Sequence, residues 1–155
     1  MVESCNEDLI RAYVKLGKDD HIYLTHCKEV WLAEHNSFGL KMSKDFYESI
    51  IIHEVAHFIA EKIAGCKIEI TNSEYIADVV QLSQMKPSLR QAILSRFPLL
   101  AFKTEEINLD VMLFSPAVFS VRSYLHFKES KGQYTKDILS GTIDKPIGYV
   151  YWNFH

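Results

Sequence analysis

The sequence predicts an α+β domain, with a short N-terminal helix and a small sheet leading into a central buried helix and a mostly helical C-terminal half. Three observations carry this reading. β-branched and aromatic residues gather at 21–26 and 30–32, an apolar helical segment of about 20 residues follows Ser43, and helical periodicity fills 104–128. The 155 residues suit one domain spanning 1–155, since two separate cores would each be small and poorly buried. At 48% apolar and 24% charged, the composition excludes disordered, collagen-like and coiled-coil classes.

The elements follow in order. Leu9, Ile10, Tyr13, Val14 and Leu16 recur at helical spacing, Asn6 can cap the start and Gly17 ends the segment, so 6–16 is expected as the first helix. Residues 21–26 and 30–32 are expected in the small sheet, which breaks at Asn36-Ser37-Phe38-Gly39. Ser43 is a suitable N-cap for a helix over 44–64, and Gly65 supplies its left-handed C-terminal residue. Phe46, Ile50, Ile51, Ile52, Val55, Ala56, Phe58, Ile59, Ala60 and Ile63 leave almost no polar face on that helix, which predicts burial at the centre of the domain. Thr71-Asn72-Ser73 opens the next helix, which runs to about Met85, where Lys86-Pro87 stops it. Pro87 begins another helix through Arg96, and 104–114 and 115–128 are helical again, with Ser115-Pro116 as cap and first-turn proline. The stretch 132–155 is mixed; Tyr149-Val150-Tyr151-Trp152 fits a final strand or an aromatic tail over the core.

Seventeen basic residues against twenty acidic ones, scattered along the chain, give a net charge of −3 and argue against nucleic acid or anionic membrane as partner. The longest apolar run, 49–60, is broken by His53, Glu54 and His57, so no membrane span is expected. Cys5, Cys27 and Cys66 form no CxxC knuckle, and they fit either buried thiols or one disulfide plus a free thiol. The N-terminus lacks a secretory signal, but a processed exported chain carrying an added Met would begin the same way, so the compartment stays open between exported and cytoplasmic.

The sharpest feature is His53-Glu54-Val55-Ala56-His57, an HExxH pentad in the middle of the 44–64 helix. Residues four apart stand one above the other, so both imidazoles project to the same side and can bind one metal ion. Glu54 sits about 100° round the helix, beside the open coordination position. Composition alone yields such a pentad by chance with odds on the order of one or two per cent. Zn2+ fits a His pair of this kind, and an apolar helix that buried His, Glu and His without a metal would have to satisfy three polar groups some other way.

A catalytic zinc normally takes three protein ligands. Glu61 lies about 12 Å along the helix from His53, too far for three side chains of one straight helix to converge. Ala60 and Ile63 exclude the extended H-E-x-x-H-x-x-G-x-x-H motif, and Cys66 follows the turn at Gly65 that leads away. Glu74 lies on the next helix, where an antiparallel return brings it over the histidines, with Asp78 one turn on. A second reading makes Thr71-Asn72-Ser73-Glu74 a capping box, Glu74 reaching back to the Thr71 amide and Asp78 merely exposed.

HExxH followed on the next helix by Glu74-Tyr75-Ile76-Ala77-Asp78 resembles the gluzincins, the thermolysin-like superfamily of zinc metallopeptidases; the resemblance covers 43–85. Ser123-Tyr124-Leu125-His126-Phe127 also resembles a small uncharacterised bacterial family with this metal motif, whose members are often exported. The gluzincin resemblance implies a zincin-like domain with His53, His57 and Glu74 on zinc, Glu54 as general base and Asp78 orienting a ligand histidine. It also implies an oxyanion donor from the C-terminal part, for which Tyr124 and His126 are the candidates. A peptide or unfolded-protein substrate would add as a strand along the 30–40 segment. A zinc-bearing domain that binds peptides or hydrolyses another amide, and a metal-free module presenting the 97–102 segment, remain alternatives. Oligomeric state is not legible.

Overall fold

The computed structural model describes residues 36–143, together with the backbone of 12–15 and 21–24. Two strands, β1 (Ala12–Lys15) and β2 (His21–Leu24), pair antiparallel with Ala12 opposite Leu24 and Lys15 opposite His21. Among the described residues six α-helices follow: α1 (Lys44–Ala64), α2 (Ile70–Gln84), α3 (Pro87–Arg96), α4 (Leu109–Phe114), α5 (Pro116–Glu129) and α6 (Gln133–Leu139). A 3-10 turn, Thr104–Glu106, precedes α4.

The α+β expectation is overturned, because the described body is helical. Among the described residues strand is confined to two four-residue strands beside α1, too small to form a layer that helices could cover. The expected first helix over 6–16 is corrected as well, since 12–15 is strand. Pairing with 21–24 overrides helical spacing in so short a segment. Residues 30–35 and 144–155, including the Tyr149–Trp152 alternation, lie outside the described residues. The described end of the proposed substrate edge, 36–40, is a turn: the Asn36 side chain accepts from the Phe38 and Leu40 amides, and Gly39 takes φ +69°.

α1 has the bounds its caps dictate, with Ser43 accepting from the Phe46 amide and Gly65 left-handed at φ 67°. It is not the central helix. Ile59 and Ile63 are 48% and 62% exposed, whereas on α2 Tyr75, Ile76, Ala77, Val79 and Leu82 are buried. Two apolar clusters meet along α2. Tyr75, Ile76 and Val79 pack with Phe102, Ile107, Phe119, Tyr134 and Ile138, while Leu82 joins Phe38, Phe46, Ile93, Val121 and Tyr124. Burying one fully exposed side chain of this size contributes roughly 1.5–3 kcal/mol, so the α2 row is a main source of the fold's stability. α2 therefore forms the spine, with α1 on one side and α5 on the other.

Candidate metal centre

α1 and α2 are joined by a short connection, so the middle of α1 faces the first turns of α2 and two helical faces set the site. His53 and His57 lie one turn apart on α1, their Nε2 atoms 3.1 Å from each other. From α2, Glu74 places Oε2 3.3 Å from His53 Nε2 and Oε1 3.6 Å from His57 Nε2. One ligand atom from each of the three residues falls within 4.8 Å of the others, a group that could hold a metal ion. Ligand bonds of about 2.0–2.1 Å in a tetrahedral zinc site separate donors by about 3.3 Å, so these spacings fit such an ion.

The far side of each imidazole is also held. His53 Nδ1 lies 3.5 Å from Asp78 Oδ1, and His57 Nδ1 lies 2.7 Å from Ser73 Oγ. A proton kept on Nδ1 by such a partner leaves the Nε2 lone pair facing inward, the tautomer a metal ligand needs. Asp78 therefore lies behind His53, on the side away from Glu74. Ser73 was missed; its place beside Thr71 and Asn72 marked it as a helix opener.

Electrostatics follow from crowding five ionisable groups. Burial opposes charge on His53, but its bonds to Asp78 and Glu74 outweigh that and raise its pKa to about 10. Burial and the charge on His53 push His57 down to about 4. Burial alone would raise Glu74, yet the hydrogen bond and charge of His53 bring it below the ordinary carboxylate value. Burial raises Asp78 and Glu54, for Glu54 against the attraction of His53. Positive charge is thus favoured on His53 and disfavoured on His57, and Glu54 beside them holds its proton more readily than an ordinary carboxylate.

The capping-box alternative for Glu74 does not hold. α2 begins at Ile70, and its free amides at Thr71 and Asn72 are taken by the Glu69 carboxylate at 2.9 and 3.2 Å, which leaves Glu74 to face the histidines. Cys66 is exposed and free, outside the cluster.

An open cavity of about 400 Å3 adjoins the centre. His53, Glu54, Glu74 and Asp78 line one part; Phe38, Phe46, Ile50, Met112 and Phe119 form its apolar wall, and Ser37, Gln81, Pro116 and Ser120 complete it. Tyr124 and His126, the candidate oxyanion donors, are not among its lining residues. His126 is buried with Nδ1 2.8 Å from the Tyr75 hydroxyl and Nε2 3.2 Å from Thr104 Oγ1, and Tyr124 packs in the second apolar cluster with the Arg90 guanidinium 6.0 Å from its ring centre. Both turn inward from α5 because that helix lies against α2, a placement the periodicity of α5 alone does not reveal.

No described helix is long and apolar enough to cross a membrane. Residues 16–145 match the model of a family of unknown function (DUF6639), and the match takes in every residue of the site. No curated protein and no solved structure matches the chain.

Proposed function

The chain belongs to the family of unknown function DUF6639, and from that premise we propose that it is a zinc-dependent peptidase of the gluzincin kind. The observation that carries the proposal is the convergence of His53, His57 and Glu74 from two helices, with Asp78 and Ser73 behind the histidines and Glu54 beside them in an open cavity. His53, His57 and Glu74 would hold Zn2+. When bound, the ion supplies Lewis acidity, bringing a water toward a pKa of about 7 and polarising a carbonyl. Glu54, its affinity for protons increased by burial, takes a proton from the attacking water and delivers it to the departing amine as the C–N bond breaks. The apolar wall would receive side chains of a peptide or unfolded-protein segment.

Zinc content and cleavage together test this. Purified protein is expected to carry about one zinc per chain, and Glu54→Gln to retain it while losing cleavage of a pooled peptide library. Unchanged cleavage by Glu54→Gln, or a protein that folds without taking up zinc, overturns the proposal.

One observation favours a second reading, a zinc-bearing domain that binds peptide without cutting it. Among the described residues the cavity lining contains no Tyr, Lys or Arg to stabilise an oxyanion. That reading predicts zinc and peptide binding by the parent protein with no cleavage.

A further inference from the structure

Glu74, Asp78 and Gln81 fall at i, i+4 and i+7 on α2, one stripe of the helix, and all three line the cavity. The first two are explained by the metal centre. Gln81 is a long polar side chain only 6% exposed, on an otherwise apolar stretch of the helix, and such a group costs stability unless its amide is satisfied.

Half of that amide has a fixed partner. The Ser49 hydroxyl donates to the Phe46 carbonyl at 2.6 Å, so toward Gln81 it can only accept, and Gln81 Nε2 lies 3.1 Å away as the donor. This relay fixes which way round the amide sits. Nε2 is directed at α1, and Oε1, to which no described residue donates, is the end available to the cavity. Gln81 is two turns along α2 from Glu74, about 10 Å by helix rise. An extended chain covers that distance in about three residues.

We propose that Gln81 is a specificity-determining residue whose Oε1 accepts a hydrogen bond from a backbone N–H of an extended, uncharged peptide segment, about three residues from the group seated at the metal centre. The inference rests on the zinc reading above and deepens it by naming the substrate class. A neutral acceptor suits a peptide amide, whereas a terminal carboxylate at this point would meet an acceptor in a cavity that already holds Glu54, Glu74 and Asp78.

The test uses zinc-loaded protein and two probes: acetohydroxamic acid, which reaches only the metal, and a hydroxamate extended by three uncharged residues ending in an amide. Calorimetry on the parent and on Gln81→Met, which preserves volume, is expected to show the extended probe about tenfold weaker in the variant, the scale of one lost hydrogen bond. Acetohydroxamate affinity and zinc content are expected to stay the same. Ser49→Ala, which frees the amide to rotate, should weaken the extended probe in the same direction. Equal affinity of the extended probe for the parent and Gln81→Met overturns the inference while leaving the zinc reading intact, and so does equal weakening of both probes. A zinc-loaded parent that binds neither hydroxamate removes the zinc reading and this inference together.

Discussion

Two glutamates at the start of α2 divide the work that one residue was expected to do or forgo. Glu69 neutralises the free amides of the first turn, and Glu74, one and a half turns later, is released to face His53 and His57. The two substitutions should therefore separate cleanly. Glu69→Ala is expected to lower stability by about 1 kcal/mol in denaturant titration with zinc affinity unchanged. Glu74→Ala should reduce zinc affinity severely in a chelator competition; an effect on stability alone would return Glu74 to a capping role. Ser73→Ala removes the partner of His57 Nδ1 and is expected to weaken zinc about tenfold or more, with Ser73→Thr restoring most of the loss. His53, Glu54 and His57 were legible because a single helix sets their geometry. Ser73 was not, since its role depends on which face of α2 meets α1.

At the scale of elements, local chemistry settles where helices begin and end, and packing settles which of them is central. Ser43, Gly65 and Pro87 mark boundaries by hydrogen bonding and backbone preference, so α1 and α3 were readable to the residue. Burial was not readable in the same way. α1 carries apolar residues on almost every side, yet leaves Ile59 and Ile63 exposed, while α2, with polar residues on the stripe that faces His53 and His57, is enclosed by α1 and α5. A hydrophobic surface all round permits burial but does not select a neighbour. The same limit holds for Tyr124 and His126, whose direction is set by the contact of α5 with α2. Gly65 offers an element-scale test. It adopts φ 67° with open space where a Cβ would go, so Gly65→Ala meets backbone strain without a clash and is expected to cost about 1–2 kcal/mol in thermal or chemical unfolding. Zinc stoichiometry should stay at one, because the connection between α1 and α2 keeps its length.

For the whole molecule, the proposed ion would join the two helices that organise the body, and occupancy should therefore register in global stability. His53 and His57 come from α1 and Glu74 from α2, and in the unfolded chain these groups are no longer held together, so zinc should bind the native state far better. At free zinc one hundred times its dissociation constant, a native-only ligand adds about 2.7 kcal/mol. In a chain of 155 residues, each kcal/mol moves Tm by about 2–4 °C, which predicts a fall of about 5–10 °C when a chelator strips the metal. Glu54→Gln leaves the three ligands intact and should show the same fall. Glu74→Ala should begin near the stripped value and respond little to chelator or to added zinc. A parent protein whose Tm ignores both treatments, at a zinc concentration that calorimetry shows to be free in solution, would mean that α1 and α2 meet through packing alone.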